Sequence, residues 1–285
     1  MKRLDEYVIQ TEGPSRSFNG IRALPGNQVR MSTFVLKIIA LAAMLTDHLE
    51  GSFPDTFPVA FGWIGRISIP IFMFCVVQGL IHTSNTKRYL FRLYIGSVVM
   101  SVGTFILRIS FSGAEAQIAD NIFATFFLLA VLITLARGRL TESKRVGLWI
   151  GFILIQIISI LLVTRLQTIS RSYAYLANGL VPNIISSEGA IIFMVPGILM
   201  YVFKDSRVKL ALMYTFFCVL MFASAGISGF TAQSLLFGNY QWMMIIALPL
   251  MLSYNGERGR SLKYFFYAFY PLHIWFLFLI ANFVL

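Results

Sequence analysis

A few side chains stand out because the apolar segments holding them make their types costly. Asp47 and His48 lie in VLKIIALAAMLTDHLE, Arg66 in GWIGRISIPIF, Arg108 near the end of TFILRIS and His273 in YAFYPLHIWFLFL. An ionisable group near the middle of a bilayer costs something like 2.5–3.5 kcal/mol on insertion scales, so each of these needs a partner or a function. Histidine suits chemistry best, since it titrates near neutral pH and can act as general base on an amine or a hydroxyl. Lys37 and His48 are eleven positions apart. Eleven residues turn a helix by about 1100°, within roughly 20° of three full turns, and rise about 16 Å. Both side chains therefore leave one face, the lysine at one end of the helix and the histidine well inside it.

One elongated ligand with an anionic end could touch both. Acyl-coenzyme A has that shape: its phosphates suit Lys37 together with Arg88 and Arg92, one helical turn apart, and its thioester arm is thin enough to pass between helices. A lysine in that place is also an ordinary anchor at the inner end of a span. Asp47 cannot orient His48, because adjacent helical residues point about 100° apart. Its simplest mate is Arg66, in a pair that is either structural or functional. His273 lies ten positions beyond Lys263, or about 15 Å along a helix, which matches the depth of His48. It either packs against a carbonyl near Pro271 or shares a cavity with His48. His82, in a loop ahead of Lys87, has no specific role in this reading.

The elements that must position these groups are membrane helices. Of 285 residues, 58% are hydrophobic and 12% charged, with a mean hydropathy of +0.76, far outside the soluble range. A net charge of +11 in a soluble chain would point to nucleic acid, but here the basic residues sit between apolar runs, and no nucleic-acid partner is expected. Cys75 and Cys218 lie in apolar stretches without metal-ligand spacing, so neither a disulfide framework nor a metal site is expected. Residues 1–31, rich in Gly, Pro and basic residues, read as a flexible cytoplasmic tail, with no cleavable signal peptide and the remaining domain running over 32–285.

Apolar runs fall at about 32–50, 58–81, 89–109, 121–136, 146–164, 189–203, 208–225, 240–253 and 262–284, predicting an all-α polytopic transmembrane bundle of about nine spans, eight to ten in range. Most Lys and Arg residues collect at alternate loops, which places the N-terminus in the cytoplasm and the C-terminus outside. Pro70, Pro196, Pro249 and Pro271 fall inside spans, where they kink helices that line a cavity.

These segments resemble the TraX proteins, named for the F-pilin acetyltransferase that acetylates the pilin N-terminus. The resemblance runs from about residue 33 to the C-terminus and rests on LKIIALAAMLTDH, GWIGRISIPIFMFCVVQGLIHT, KRYLFRL, LMLSYNGERG and KYFFYAFYPLHIWFL, in that order. The tail and the stretch 165–188 fall outside it. The Lys37-x10-His48 spacing is also similar to the Arg/Lys-x10-His signature of the acyltransferase-3 membrane enzymes, whose histidine is implicated in catalysis. The resemblance implies a multi-pass protein of a cell membrane, the cytoplasmic membrane of a bacterium, that transfers acetyl from acetyl-coenzyme A to a peptide amine or a glycan hydroxyl.

On that reading His48 is the base, and His273 or Arg66 stabilises the oxyanion. Asp47 tunes the site, while Lys37, Arg88, Arg92, Asn255 and Arg258 hold the donor. The rival expectation is a proton-coupled permease in which Asp47, His48 and His273 form a relay. A third is a non-enzymatic assembly factor, in which the embedded polar groups are replaceable.

Overall fold

The structure, a computed structural model, describes residues 30–111, 121–137 and 141–283. The expected tail over 1–31 thus lies almost wholly outside the described residues, as does most of the loop 110–120. Eleven α-helices follow one another: α1 (Thr33–Ser52), α2 (Ala60–Gly65), α3 (Ser68–His82), α4 (Thr86–Ser110), α5 (Ile122–Arg137), α6 (Glu142–Gln167), α7 (Arg171–Leu180), α8 (Ala190–Val202), α9 (Arg207–Ala225), α10 (Ala247–Leu252) and α11 (Lys263–Phe283). Short 3₁₀ and π segments bridge α9 and α10. Among the described residues there is no strand, only an isolated bridge between Met31 and Tyr254.

Every apolar run carries a helix. Among the described residues, five spans are long and apolar enough to cross a membrane: α2 with α3, then α4, α6, α9 and α11. α2 and α3 form one kinked rod, because Pro70 has no N–H to give the carbonyl of Arg66. α6 and α9 turn apolar side chains outward, with Ile158 at 64%, Leu161 at 65% and Phe216 at 65% exposed; that is a surface suited to lipid rather than water. The centre is packed by Leu36, Ala40, Ala43 and Met44 of α1 against Ile71, Phe74, Val77 and Leu80 of α3, residues spaced three and four apart as a helix face requires.

α7 has no counterpart among the nine expected runs. It lies in the stretch 165–188, and the segment that joins it to α8, residues 181–189, runs beside α6. Bare backbone deep among apolar helices must find partners, and here side chains supply them. Gln156 gives its Nε2 to the Pro182 carbonyl (3.2 Å) and takes the Ile184 N–H (2.9 Å), and Ser159 bonds the Val181 carbonyl. Gln156, Ser159 and Val163 are the buried face of an otherwise exposed α6. On the far side Asn121 donates to Ser101 (2.8 Å) and the Ser97 carbonyl (3.1 Å), and Ser97 donates to the Gly179 carbonyl (3.0 Å). Only glycine fits at 179, since a Cβ there would come within 1.7 Å of the Ser101 hydroxyl.

Candidate functional site: a cation-rimmed cavity leading to two histidines

A cavity of about 460 Å³ lies between α1, α3, α4, α5, α11 and the segment joining α10 to α11. Four cations line it: Lys37, Arg88, Arg92 and Arg258. They come from three separate stretches of chain, each held by local chemistry. Ser32 caps α1 by accepting the Val35 N–H, which sets Thr33 and Lys37 on one face. Asn85 caps α4 by accepting the Arg88 N–H at 2.8 Å, so Arg88 and Arg92 occupy its first two turns. Arg258 belongs to YNGERG, a loop stitched to the start of α1. Asn255 N–H bonds the Met31 carbonyl (3.0 Å), Thr33 N–H the Glu257 carbonyl (2.9 Å) and the Thr33 hydroxyl the Arg258 carbonyl (2.9 Å). The loop turns at Gly256 and Gly259, both at positive φ, a conformation open to glycine at little cost. At 259 a side chain would also strike Ser32, 2.4 Å from the ideal Cβ.

Two more arginines share this end of the bundle. Arg137 donates to the Leu80 carbonyl (2.7 Å) and to Thr86 (2.8 Å), and Arg207 donates to the Tyr254 carbonyl (2.9 Å). Asn255 does not line the cavity. Its amide donates to Glu257 (2.9 Å) and its side-chain oxygen accepts the Glu257 N–H (2.9 Å), so it shapes the loop that presents Arg258. His82, given no role from the sequence, does line the cavity. So do Tyr89, Tyr254, Tyr267 and Tyr270. Burial, with Cys75 and Glu257 nearby, pushes the Tyr254 phenol up to about 12, which keeps it a neutral hydroxyl.

The cavity ends at Met44, Phe72, Ile122 and Tyr270. His48 is one turn past Met44 and His273 one turn past Tyr270, so neither is among the lining residues, although Lys37 is. The two imidazoles meet with ring centroids 5.1 Å apart at 64°. Phe269 stacks on His273 at 4.9 Å, and the His273 Nδ1 lies 2.8 Å from the Phe269 carbonyl. A carbonyl only accepts, so Nδ1 carries the proton and Nε2 is the basic nitrogen of the neutral ring. That Nε2 is buried without a hydrogen-bond partner among the described residues.

Asp47 points away from this pair and bonds the Arg66 guanidinium. Arg66 also donates to Gln241 (3.1 Å) and to the Gly62 carbonyl (3.2 Å), with the Tyr240 ring 5.4 Å away. All three guanidinium nitrogens are thereby engaged. Gly65 makes the contact possible, for a Cβ there would lie 2.3 Å from that of Asp47. The pair fastens α1 to α2 and to the 3₁₀ segment at the opposite end from the cations.

These features define a class: among the described residues, an all-helical bundle of membrane-crossing character, with a cation-rimmed cavity directed at two adjoining imidazoles, His273 buried and His48 half-buried. The TraX protein profile matches residues 32–281, and the chain belongs to the TraX family. It is 27% identical over 259 residues to a Dichelobacter nodosus protein described as "Probable fimbrial assembly protein FimC, serogroup H1", a match that takes in 86% of this chain and 94% of that one. No solved structure matches.

Proposed function

We propose that this protein is a multi-pass membrane acyltransferase that moves an acetyl group from cytosolic acetyl-coenzyme A to an amine or hydroxyl on the other side of the bilayer. The observation that carries the reading is the convergence of Lys37, Arg88, Arg92 and Arg258 on one cavity whose floor adjoins the His48–His273 pair. A volume of about 460 Å³ falls in the usual span for small-molecule sites, about 300–1,000 Å³. It suits the slender thioester arm, with the phosphates held at the rim by cations in geometries that favour phosphate. The positive-inside rule puts that rim in the cytosol and Asp47–Arg66 toward the outer face, within a bundle of about nine crossings.

In the proposed reaction the acceptor approaches the imidazoles from the outer side. Its nucleophilic nitrogen or oxygen bonds the thioester carbonyl carbon while its proton passes to His48, and the neutral His273 offers Nε2 as a second proton acceptor. The tetrahedral intermediate then expels the coenzyme A sulfur. The histidine returns the proton to that thiolate, leaving an acetylated acceptor and free coenzyme A. Asp47 and Arg66 act as positioning residues, because their pair fixes the helix that carries His48. The names of the family and of the fimbrial relative favour the N-terminal amine of a peptide as the first acceptor to try.

The test is transfer from labelled acetyl-coenzyme A by the purified protein in detergent or nanodiscs, with peptide amines and glycans offered separately. Label should pass to one of them and be lost in His48→Ala. Unimpaired transfer by that variant would sink the assignment.

A further inference from the structure

Gln78 is a strongly polar side chain set in the apolar stretch SIPIFMFCVVQGLIH of α3. It is 6% exposed and lines the cavity, and its Oε1 is buried without a hydrogen-bond partner among the described residues. An amide oxygen left so is costly, since burial removes its water and nothing replaces it. Two polar groups that line the same cavity bond backbone: the Tyr89 hydroxyl donates to the Val76 carbonyl (3.3 Å), and the His82 Nδ1 lies 2.8 Å from the Gln78 carbonyl. Gly79 keeps Tyr89 in place, because a Cβ at 79 would come within 2.6 Å of the Tyr89 hydroxyl.

Position along the helix says what is missing. Gln78 lies about 6 Å inward from His82 and about 9 Å on the rim side of Phe72, so among the residues of α3 that line the cavity it sits at the middle level. A ligand with anions at the rim and a reactive carbon at the floor must present an N–H or O–H donor at that level. A pantetheine arm does so, for it carries two secondary amides between its phosphate and its sulfur.

We propose that Gln78 is a binding residue for the donor's arm, its Oε1 accepting an amide N–H of the pantetheine chain. The assignment rests on the acyl-coenzyme A reading and adds selectivity: the cavity takes thioesters borne on an amide-containing arm and discriminates against hydrocarbon or lipid-linked donors. The same arm occurs on coenzyme A and on phosphopantetheinylated carrier protein. Four rim cations match the several phosphates of coenzyme A better than the single one of a carrier.

The experiment measures binding to the full chain in nanodiscs, by calorimetry, of coenzyme A, of two analogues in which one or the other arm amide is an ester, and of a phosphopantetheinylated carrier protein. The ester keeps length and shape and removes only the N–H. Wild type should bind one ester analogue about tenfold more weakly than coenzyme A, and carrier protein more weakly still. Gln78→Leu should bind coenzyme A about tenfold more weakly and no longer tell amide from ester. Equal binding of both esters and coenzyme A by the wild type overturns the proposal without recourse to any variant, as does undiminished discrimination by Gln78→Leu. Tighter binding of the carrier protein keeps Gln78 and reassigns the source of the arm. A wild type that binds neither coenzyme A nor carrier protein overturns the donor reading itself.

Discussion

Two polar regions lie buried in this apolar bundle, and they differ in how densely their groups bond one another and in whether a cavity reaches them. Around the break between α7 and α8, the side chains of Gln156, Ser159, Asn121 and Asn183 find protein partners, Asn183 donating to Ser159 (3.1 Å) and accepting the Ser186 N–H (2.7 Å), while the Ser187 hydroxyl, away from the cavity, has none among the described residues. Along the path from the cation rim to the histidines, Gln78 Oε1 and His273 Nε2 have none among the described residues. A polar cluster satisfied from within stabilises the backbone it supports. Groups left open beside a cavity are arranged for something that enters. Unpaired groups and a cavity together separate a site from a structural device, though both are polar side chains in apolar helices.

The largest effect expected is at the site. His48→Ala should slow transfer by about 10²–10⁴-fold, the range for loss of a general base, with thermal stability close to wild type. Equal loss of stability would move His48 into the structural class. The reverse pattern should hold at the other region. Gly179→Ala forces a methyl into Ser101, and Asn183→Leu strands the Ile185 and Ser186 N–H groups; each should lower stability by about 2–3 kcal/mol. Calorimetric or fluorescence melting in one detergent would check both. Any acceptor-dependent activity left in the folded fraction should keep its wild-type Michaelis constant for the donor.

The sequence showed more of the bundle than of the cavity, and for a physical reason. Hydropathy reports each helix by itself, and every apolar run does carry one. α7 escaped because RSYAYLANGL is short and mixed, and what makes it a helix in the bundle is its packing on α4 and α6, whose polar residues are distant in sequence. The depths of His48 and His273 could be counted from the basic ends of their own helices, and the rings do meet. Convergence of Lys37, Arg88, Arg92 and Arg258 is tertiary, and no spacing in one segment reveals it. Gln78 carries no charge, so the cost of burying ionisable groups does not single it out. A neutral amide followed by glycine in an otherwise apolar run was the available signal.

The smallest effects should come at the rim, and they sharpen the comparison most. Lys37, Arg88 and Arg258 are half-buried or exposed, so each contributes a screened charge rather than a buried bond. Removing any one, as in Lys37→Gln or Arg88→Gln, should weaken coenzyme A by only about three- to tenfold. The loss should shrink as salt rises from about 0.05 to 0.5 M, because the Debye length falls to about 4 Å and screens charges at an exposed rim. The Gln78→Leu loss, made by a neutral contact away from water, should not shrink with salt. A titration series in sodium chloride therefore assigns each side chain to rim or arm without a bound structure. Salt-independent losses at Lys37 would place its ammonium inside the cavity rather than at its mouth.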